Sequence, residues 1–277
     1  MKPQFYIPIL FLFLTFSCSS ESNDDKEQEQ IPIALYFPPT NSDTWETLTI
    51  TELNWNASAL QPLLDFIETK GTKAFLILKN GKMVVEWYGN GSNANSNLRW
   101  NSAGKTLTAY TVGIAQAEGL LDINDSSKDY LGDNWSLLNE QQETNIKVYH
   151  HLTMTTGLDY YSNGLYCTDP ECLDYLYDPG TFWYYSNQPY SIIQQIVAGA
   201  TRDSFNNYYN TKLRNAIGMN GIWVPILNNK VYYSNARSMA RFGLLNLNNG
   251  YWNKTPILTD ANYISEMTNT SQQLNKA

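Results

Sequence analysis

Basic side chains are scarce. Lys and Arg number 18 against 26 Asp and Glu, a net charge of −8 at pH 7. No cluster of cations is present to neutralise a phosphate backbone, which argues against nucleic acid as a partner. The same balance gives no reason to expect docking on anionic lipid. Long hydrophobic runs are missing too: the apolar stretch at residues 5–16 holds about a dozen residues, where a membrane-spanning helix needs roughly twenty. There are no internal repeats, and there is no linker after residue 56. With 43% hydrophobic residues in a chain of 277, a sizeable core can form, which excludes a disordered chain or a multi-span membrane protein. Tyr, Trp and Phe are plentiful at 20, 8 and 10, and suit either a core or a cleft.

Residues 1–17 read as an export signal. Lys2 provides the positive start, residues 5–16 the apolar body, and Ser17-Cys18 the end. The junction resembles a bacterial lipoprotein signal, in which Cys18 is lipidated and becomes the mature N-terminus. That implies an exported protein of the cell envelope, lipid-anchored to the outer membrane. An ordinary secretory signal with Cys18 removed or idle is the alternative. Residues 19–30 are polar and acidic without hydrophobic period, so residues 18–56 are expected to be a lipidated cysteine and flexible tether, and 57–277 the domain.

Cys167 and Cys172 are the other two cysteines. In an exported protein this pair is a disulfide candidate across a Thr-Asp-Pro-Glu turn, adding about 2 kcal/mol for so short a loop. No His or third Cys lies at ligand spacing, so metal binding is the weaker reading. Residues 57–68 show helical spacing of Leu60, Leu63, Leu64 and Ile67. Two apolar runs flank Asn80-Gly81 in residues 74–88 and predict a hairpin. A long helix is expected over 102–121, helices and loops without a convincing strand from 122 to about 222, and amphipathic helices over 192–200 and 236–247. Two strands do not make a stable sheet alone, and nothing after Gly250 reads as able to complete one.

Three short motifs carry chemistry. Ser102-Ala103-Gly104-Lys105 sets a hydroxyl and an amine three residues apart at a helix start, so that both share one face. A serine hydroxyl is a poor nucleophile until a base takes its proton, and a lysine with lowered pKa can serve as that base. The bland reading is an N-capping Ser and a solvent-facing Lys. Tyr185-Ser186-Asn187 is the second motif. Its decoys are Tyr161-Ser-Asn163, Tyr233-Ser-Asn235, Tyr88-Gly-Asn90 and Tyr208-Tyr-Asn210, but only Tyr185 follows Pro179-Gly180 and enters an apolar helix. The third is the stretch from His150 through Thr155-Thr156-Gly157 to Leu158.

Together these motifs resemble the serine hydrolases of the class C β-lactamase and penicillin-binding type, as does the helix-like run from Asn235 to Leu244. The resemblance covers residues 60–264 in the right order. It implies an α+β, β-lactamase/transpeptidase-like fold and no cofactor. It makes Ser102 the acylated nucleophile, Lys105 its activating partner, Tyr185 a proton shuttle, and Asn187 the residue that orients Lys105 and the substrate amide. A tyrosine can serve as base only if a nearby cation lowers its pKa, so Lys105 must lie close.

The family's third motif, Lys-Thr-Gly or His-x-Gly, has no match: Lys105-Thr-Leu and Lys254-Thr-Pro fail at the glycine. Together with the missing strands, this leads us to expect a sequence cut short at its C-terminus. His150 and His151 are expected to pack, and Asp122, Asp125 and Asp129 to serve turns and caps. Tyr160, Tyr161, Tyr166, Trp183 and Tyr184 either line the cleft or fill the core. The substrate is expected to be a β-lactam, a cell-wall D-peptide, or a small ester or amide. A binding or sensor module without turnover is the alternative.

Overall fold

Asn80 and Gly81 both adopt positive φ, 53° and 83°, as a two-residue hairpin turn requires. In the computed structural model, which describes residues 35–161, 166–226 and 229–271, they join β1 (Ala74–Lys79) to β2 (Lys82–Tyr88). The strands pair antiparallel from Ala74↔Tyr88 to Lys79↔Lys82, with a register shift at Ile77/Leu78. A Cβ on Gly81 would lie 1.9 Å from the Tyr36 carbonyl oxygen, so glycine is needed for contact as well as for φ.

That contact corrects the expected tether. Residues 35–56 belong with the domain: Trp45 Nε1 donates to Gly81 O at 2.8 Å, and the Met83 backbone bonds to both Glu46 and Leu48. The segment docks through backbone bonds, the Trp45 indole and the Phe37 ring set edge-on against Trp252, without a hydrophobic period in its sequence. The export signal, Cys18 and residues 19–30 lie outside the described residues.

Arg241 holds the same segment from the other side. It lies on α8 (Ala236–Leu247), is only 2% exposed, and donates to the carbonyls of Ile217, Pro39 and Ser42 at 2.9–3.0 Å. Its guanidinium sits between the rings of Trp45 and Trp252. Burial pulls its pKa down, partly offset by the charge of Asp43. Arg241→Ala strands several buried carbonyls and is expected to cost about 3 kcal/mol or more in urea unfolding.

The helical body forms around α2 (Gly104–Ala117), whose Leu107, Val112 and Ala115 are fully buried. Tyr263 of α9 (Ala261–Thr268) packs on Gly113 and donates to the Ala109 carbonyl at 2.6 Å. Short helices α3 (Lys128–Leu131), α4 (Glu140–Asn145) and α5 (Val148–Leu152) lead to α6 (Asn187–Thr201), which buries Ile192, Ile193, Ile196 and Val197. Then comes α7 (Phe205–Tyr209). The first helix, α1 (Leu60–Thr69), forms as its spacing predicts. Yet Leu63 and Phe66 remain 39% and 57% exposed.

A second sheet was not foreseen. β3 (Leu98–Arg99), β4 (Ile222–Ile226) and β5 (Asn229–Ser234) pair antiparallel in the order β3-β5-β4. Pro225 obscured β4, but β4 is an edge strand, where a missing N–H is tolerated. β6 (Tyr251–Trp252) and β7 (Thr255–Pro256) pair only with each other. The result is an α+β fold of antiparallel sheets and helices. Cys167 and Cys172 are joined by a disulfide. Among the described residues no helix is long and apolar enough to cross a membrane.

Candidate active site

Ser102 sits in a 3-10 turn, Asn101–Ala103, that runs into α2. The turn is held on the small sheet: Trp100 N donates to Tyr232 O at 2.9 Å and Trp100 Nε1 to Ser234 Oγ at 2.7 Å. Asn101 takes positive φ, 48°, just before the serine, which leaves Ser102 exposed. The N-cap of α2 is Ala103, so Ser102 is not a capping residue. The turn's own bonds use the amides of Ala103 and Gly104, not that of Ser102. Ser102 N–H is therefore available to a developing oxyanion beside its own hydroxyl.

Tyr185 and Asn187 arrive on a loop tied to the stretch after α5. Gly180 N donates to Thr155 O, Tyr184 N to Met154 O, and both Leu176 N and Tyr177 N to Gly157 O. At Gly157 (φ 76°) a Cβ would fall 2.0 Å from Tyr177 O, so the glycine permits the close approach that aims the loop. Asn187 is the first residue of α6.

The four side chains then converge. Tyr185 OH donates to Ser102 Oγ at 2.8 Å, and Lys105 Nζ donates to Asn187 Oδ1 at 2.6 Å. Lys105 Nζ also lies 5.3 Å from the Tyr185 ring centroid and 5.4 Å from that of Tyr190. No hydrogen bond joins Ser102 to Lys105 among the described residues; Tyr185 stands between them. Burial pushes the Tyr185 pKa up, but the Ser102 hydrogen bond and the Lys105 charge outweigh it, and the phenol is held below its usual value. The arrangement pairs an exposed hydroxyl with a poised phenol and a fixed cation. Chemically it can take a proton from Ser102 and return it elsewhere.

The sequence profile of the β-lactamase family matches residues 64–273. The chain belongs to the β-lactamase family. Solved structures of this fold class superpose on it. A Bacillus anthracis protein assigned as a 6-aminohexanoate-dimer hydrolase gives a TM-score of 0.66 at 20% identity, over 83% of this chain and 69% of that one. A Bacteroides dorei protein assigned as a β-lactamase gives 0.62 at 18%, over 76% and 68%. The octameric penicillin-binding protein homologue of Pyrococcus abyssi gives 0.61 at 14%, over 79% and 61%. No curated protein sequence gives a significant match.

Within this β-lactamase-family site, Tyr190 is the residue that sequence reasoning missed. Its hydroxyl donates to the Lys105 backbone carbonyl at 2.8 Å, and it is 7% exposed. The signal was its position three residues after Asn187, one helical turn on. The decoy tyrosines bond elsewhere: Tyr88 OH donates to Glu86, Tyr208 OH donates to Glu118, and Tyr161 OH accepts from its neighbour Tyr160. Asn163 lies outside the described residues. Tyr161→Phe and Tyr233→Phe are expected to leave turnover within about twofold of wild type in a steady-state assay.

His150 Nδ1 accepts from Lys147 N, and His151 Nδ1 lies 2.7 Å from Pro189 O, pinning the first turn of α6. Desolvation holds both imidazoles down at about 4. The unfolded chain therefore binds more protons than the folded one between pH 4 and 6.5. The stability due to neutral His151 is complete above pH 6.5 and falls as pH drops towards 4, by ~3 kcal/mol. His151→Gln is expected to remove that part of the acid loss in denaturation curves across the window. Asp122 accepts from Asn124 N and Asp125 from Tyr130 OH, as turn residues do. Tyr160 stacks on Tyr184 at 3.7 Å and meets Tyr161 at 4.2 Å. With Trp183 and Tyr184 at 38% and 44% exposure, the aromatic group forms surface beside Tyr185 rather than core.

Proposed function

We propose that this protein is an exported serine hydrolase that cleaves an amide or ester through an acyl-enzyme on Ser102. The hydrogen bond from Tyr185 to Ser102, with Lys105 held beside it by Asn187, carries this reading. In the ionised state Tyr185 takes the Ser102 proton as Oγ attacks the carbonyl carbon, and the oxyanion forms near Ser102 N–H. Tyr185 then gives that proton to the leaving nitrogen or oxygen as its bond to carbon breaks. Water enters, loses a proton to Tyr185, and attacks the ester on Ser102; the acid leaves and the serine regains its proton. Lys105 favours the phenolate throughout. The structural neighbours named for amide hydrolysis and penicillin binding support an acyl-transfer substrate, whether β-lactam, D-peptide or small ester.

A second reading is a binding or sensor module that acylates without turnover. Incubation with a fluorophosphonate and with benzylpenicillin, followed by peptide mass spectrometry, tests both. Adduct on the Ser102 peptide that decays with release of acid supports the hydrolase, a permanent penicilloyl adduct supports the sensor, and no adduct at Ser102 refutes both.

Export with a lipid on Cys18 is part of the proposal, supported by the apolar run and the Ser17-Cys18 junction. Cys18→Ser should move the protein from the membrane fraction to the soluble exported fraction. An unlipidated mature N-terminus in the wild type would rule the anchor out.

A further inference from the structure

A cavity of about 120 Å³ opens beside Ser102, lined also by Lys105 and Asn187 and walled by β3 and β5. Three cations line it, Arg99, Lys105 and Lys230, and no carboxylate does. None of the three has an acidic partner among the described residues, although acids outnumber bases in the chain. The neutral wall is short of partners as well. Gln194 and Thr108 are 8% and 3% exposed, and neither side chain has a hydrogen bond among the described residues. Donors free on a cavity wall can be met by a carboxylate, which has two oxygens and about four acceptor sites.

The cavity's side of the site decides which half of a substrate enters it. Tyr185 must hand its proton to the leaving atom, so the leaving group lies on the Tyr185 side. Tyr185 is not part of the cavity wall, whereas Ser102, Lys105 and Asn187 are. The cavity therefore faces the acyl half. A cavity of this volume, open to solvent, has room for a short chain.

We infer that the acyl group transferred to Ser102 ends in a carboxylate, so that the preferred substrates are half-esters or half-amides of a short dicarboxylic acid, with Arg99 and Lys230 reading the free carboxylate. This deepens the acyl-enzyme proposal and rests on it. The reaction is the one already written: the bond from the acyl carbon to the leaving atom breaks, water supplies the new oxygen, and the products are the dicarboxylic acid and the leaving alcohol or amine.

The test compares umbelliferyl esters of three acids of similar size: succinic acid (anionic tail), 4-methylpentanoic acid (neutral) and 4-aminobutanoic acid (cationic). The succinyl ester should have the highest kcat/KM, by at least about fivefold over the neutral ester, with the advantage shrinking as salt rises. Arg99→Gln and Lys230→Gln should each reduce the succinyl-to-neutral ratio by about fivefold. Equal rates for the three esters, or a ratio unmoved by both substitutions, would overturn the inference. Succinate binding to the Ser102→Ala protein, followed by calorimetry, separates the two layers. If no ester is cleaved in a Ser102-dependent way, the acyl-enzyme reading fails; succinate binding weakened by Arg99→Gln and Lys230→Gln would still support the anion site. Absence of succinate binding would sink the site itself.

Discussion

Ser102→Ala is expected to abolish turnover and covalent labelling together while leaving the fold intact. The hydroxyl accepts the Tyr185 hydrogen bond and stands exposed on the turn before α2, so its loss removes the atom we propose to be acylated. In acyl-transfer enzymes whose residues act as a unit, losing the nucleophile costs on the order of 10⁶ in kcat. The residue that remains is far from neutral in chemistry and close to neutral in packing. Ser102 is not the N-cap of α2, its side chain is solvated, and alanine suits a turn leading into a helix. Stability should therefore move by less than about 0.5 kcal/mol. This pairing of outcomes is what gives the test its force. A large drop in melting temperature would mean the serine was structural. Unchanged labelling would place the nucleophile elsewhere, and the Tyr185 contact would then be a hydrogen bond between two surface hydroxyls and nothing more.

The parts of the site written in short stretches of sequence were legible, and the parts assembled across the fold were not. Ser102 and Lys105 lie one turn apart, Tyr185 and Asn187 two residues apart, so their pairwise relation follows from local geometry. The hairpin at Asn80-Gly81 was legible for the same reason: the turn pair has few alternatives. Arg99 and Lys230 are 131 positions apart and line one cavity because β3 pairs with β5, a pairing hidden by the two-residue length of β3 and by Pro225 in β4. Tyr190 read as one more apolar residue of a core helix until its hydroxyl was seen on the Lys105 carbonyl. Residues 35–56 were misread because hydropathy registers side chains, and this segment is held largely through polar bonds, Arg241 donating to its carbonyls and Gly81 O accepting from Trp45.

Lys105→Met should do more than slow the enzyme: it should displace its pH dependence upward. The working base is the Tyr185 phenolate, so the rate climbs with pH until that phenol is ionised. Burial opposes ionisation, while the Ser102 hydrogen bond and the charge and hydrogen bonding of Lys105 favour it, and in the wild type the favourable effects win. Methionine keeps the length and apolar stem of the lysine but removes the ammonium. Burial is then opposed by Ser102 alone, and the phenol becomes harder to ionise. At neutral pH the loss should be about 10²–10⁴, the range for disabling a general base, and part of it should return as pH is raised. Tyr185→Phe provides the contrast. It removes the base, so its rate should stay low at every pH with no recovery in alkali. A Lys105→Met enzyme equally slow from pH 6 to 10, matching Tyr185→Phe, would show that the amine itself takes the serine proton and that Tyr185 serves only the leaving group. A shifted but recoverable profile assigns the cation to tuning the tyrosine. The geometry favours that outcome, because the hydrogen bond to Ser102 comes from Tyr185 while Lys105 is held by Asn187.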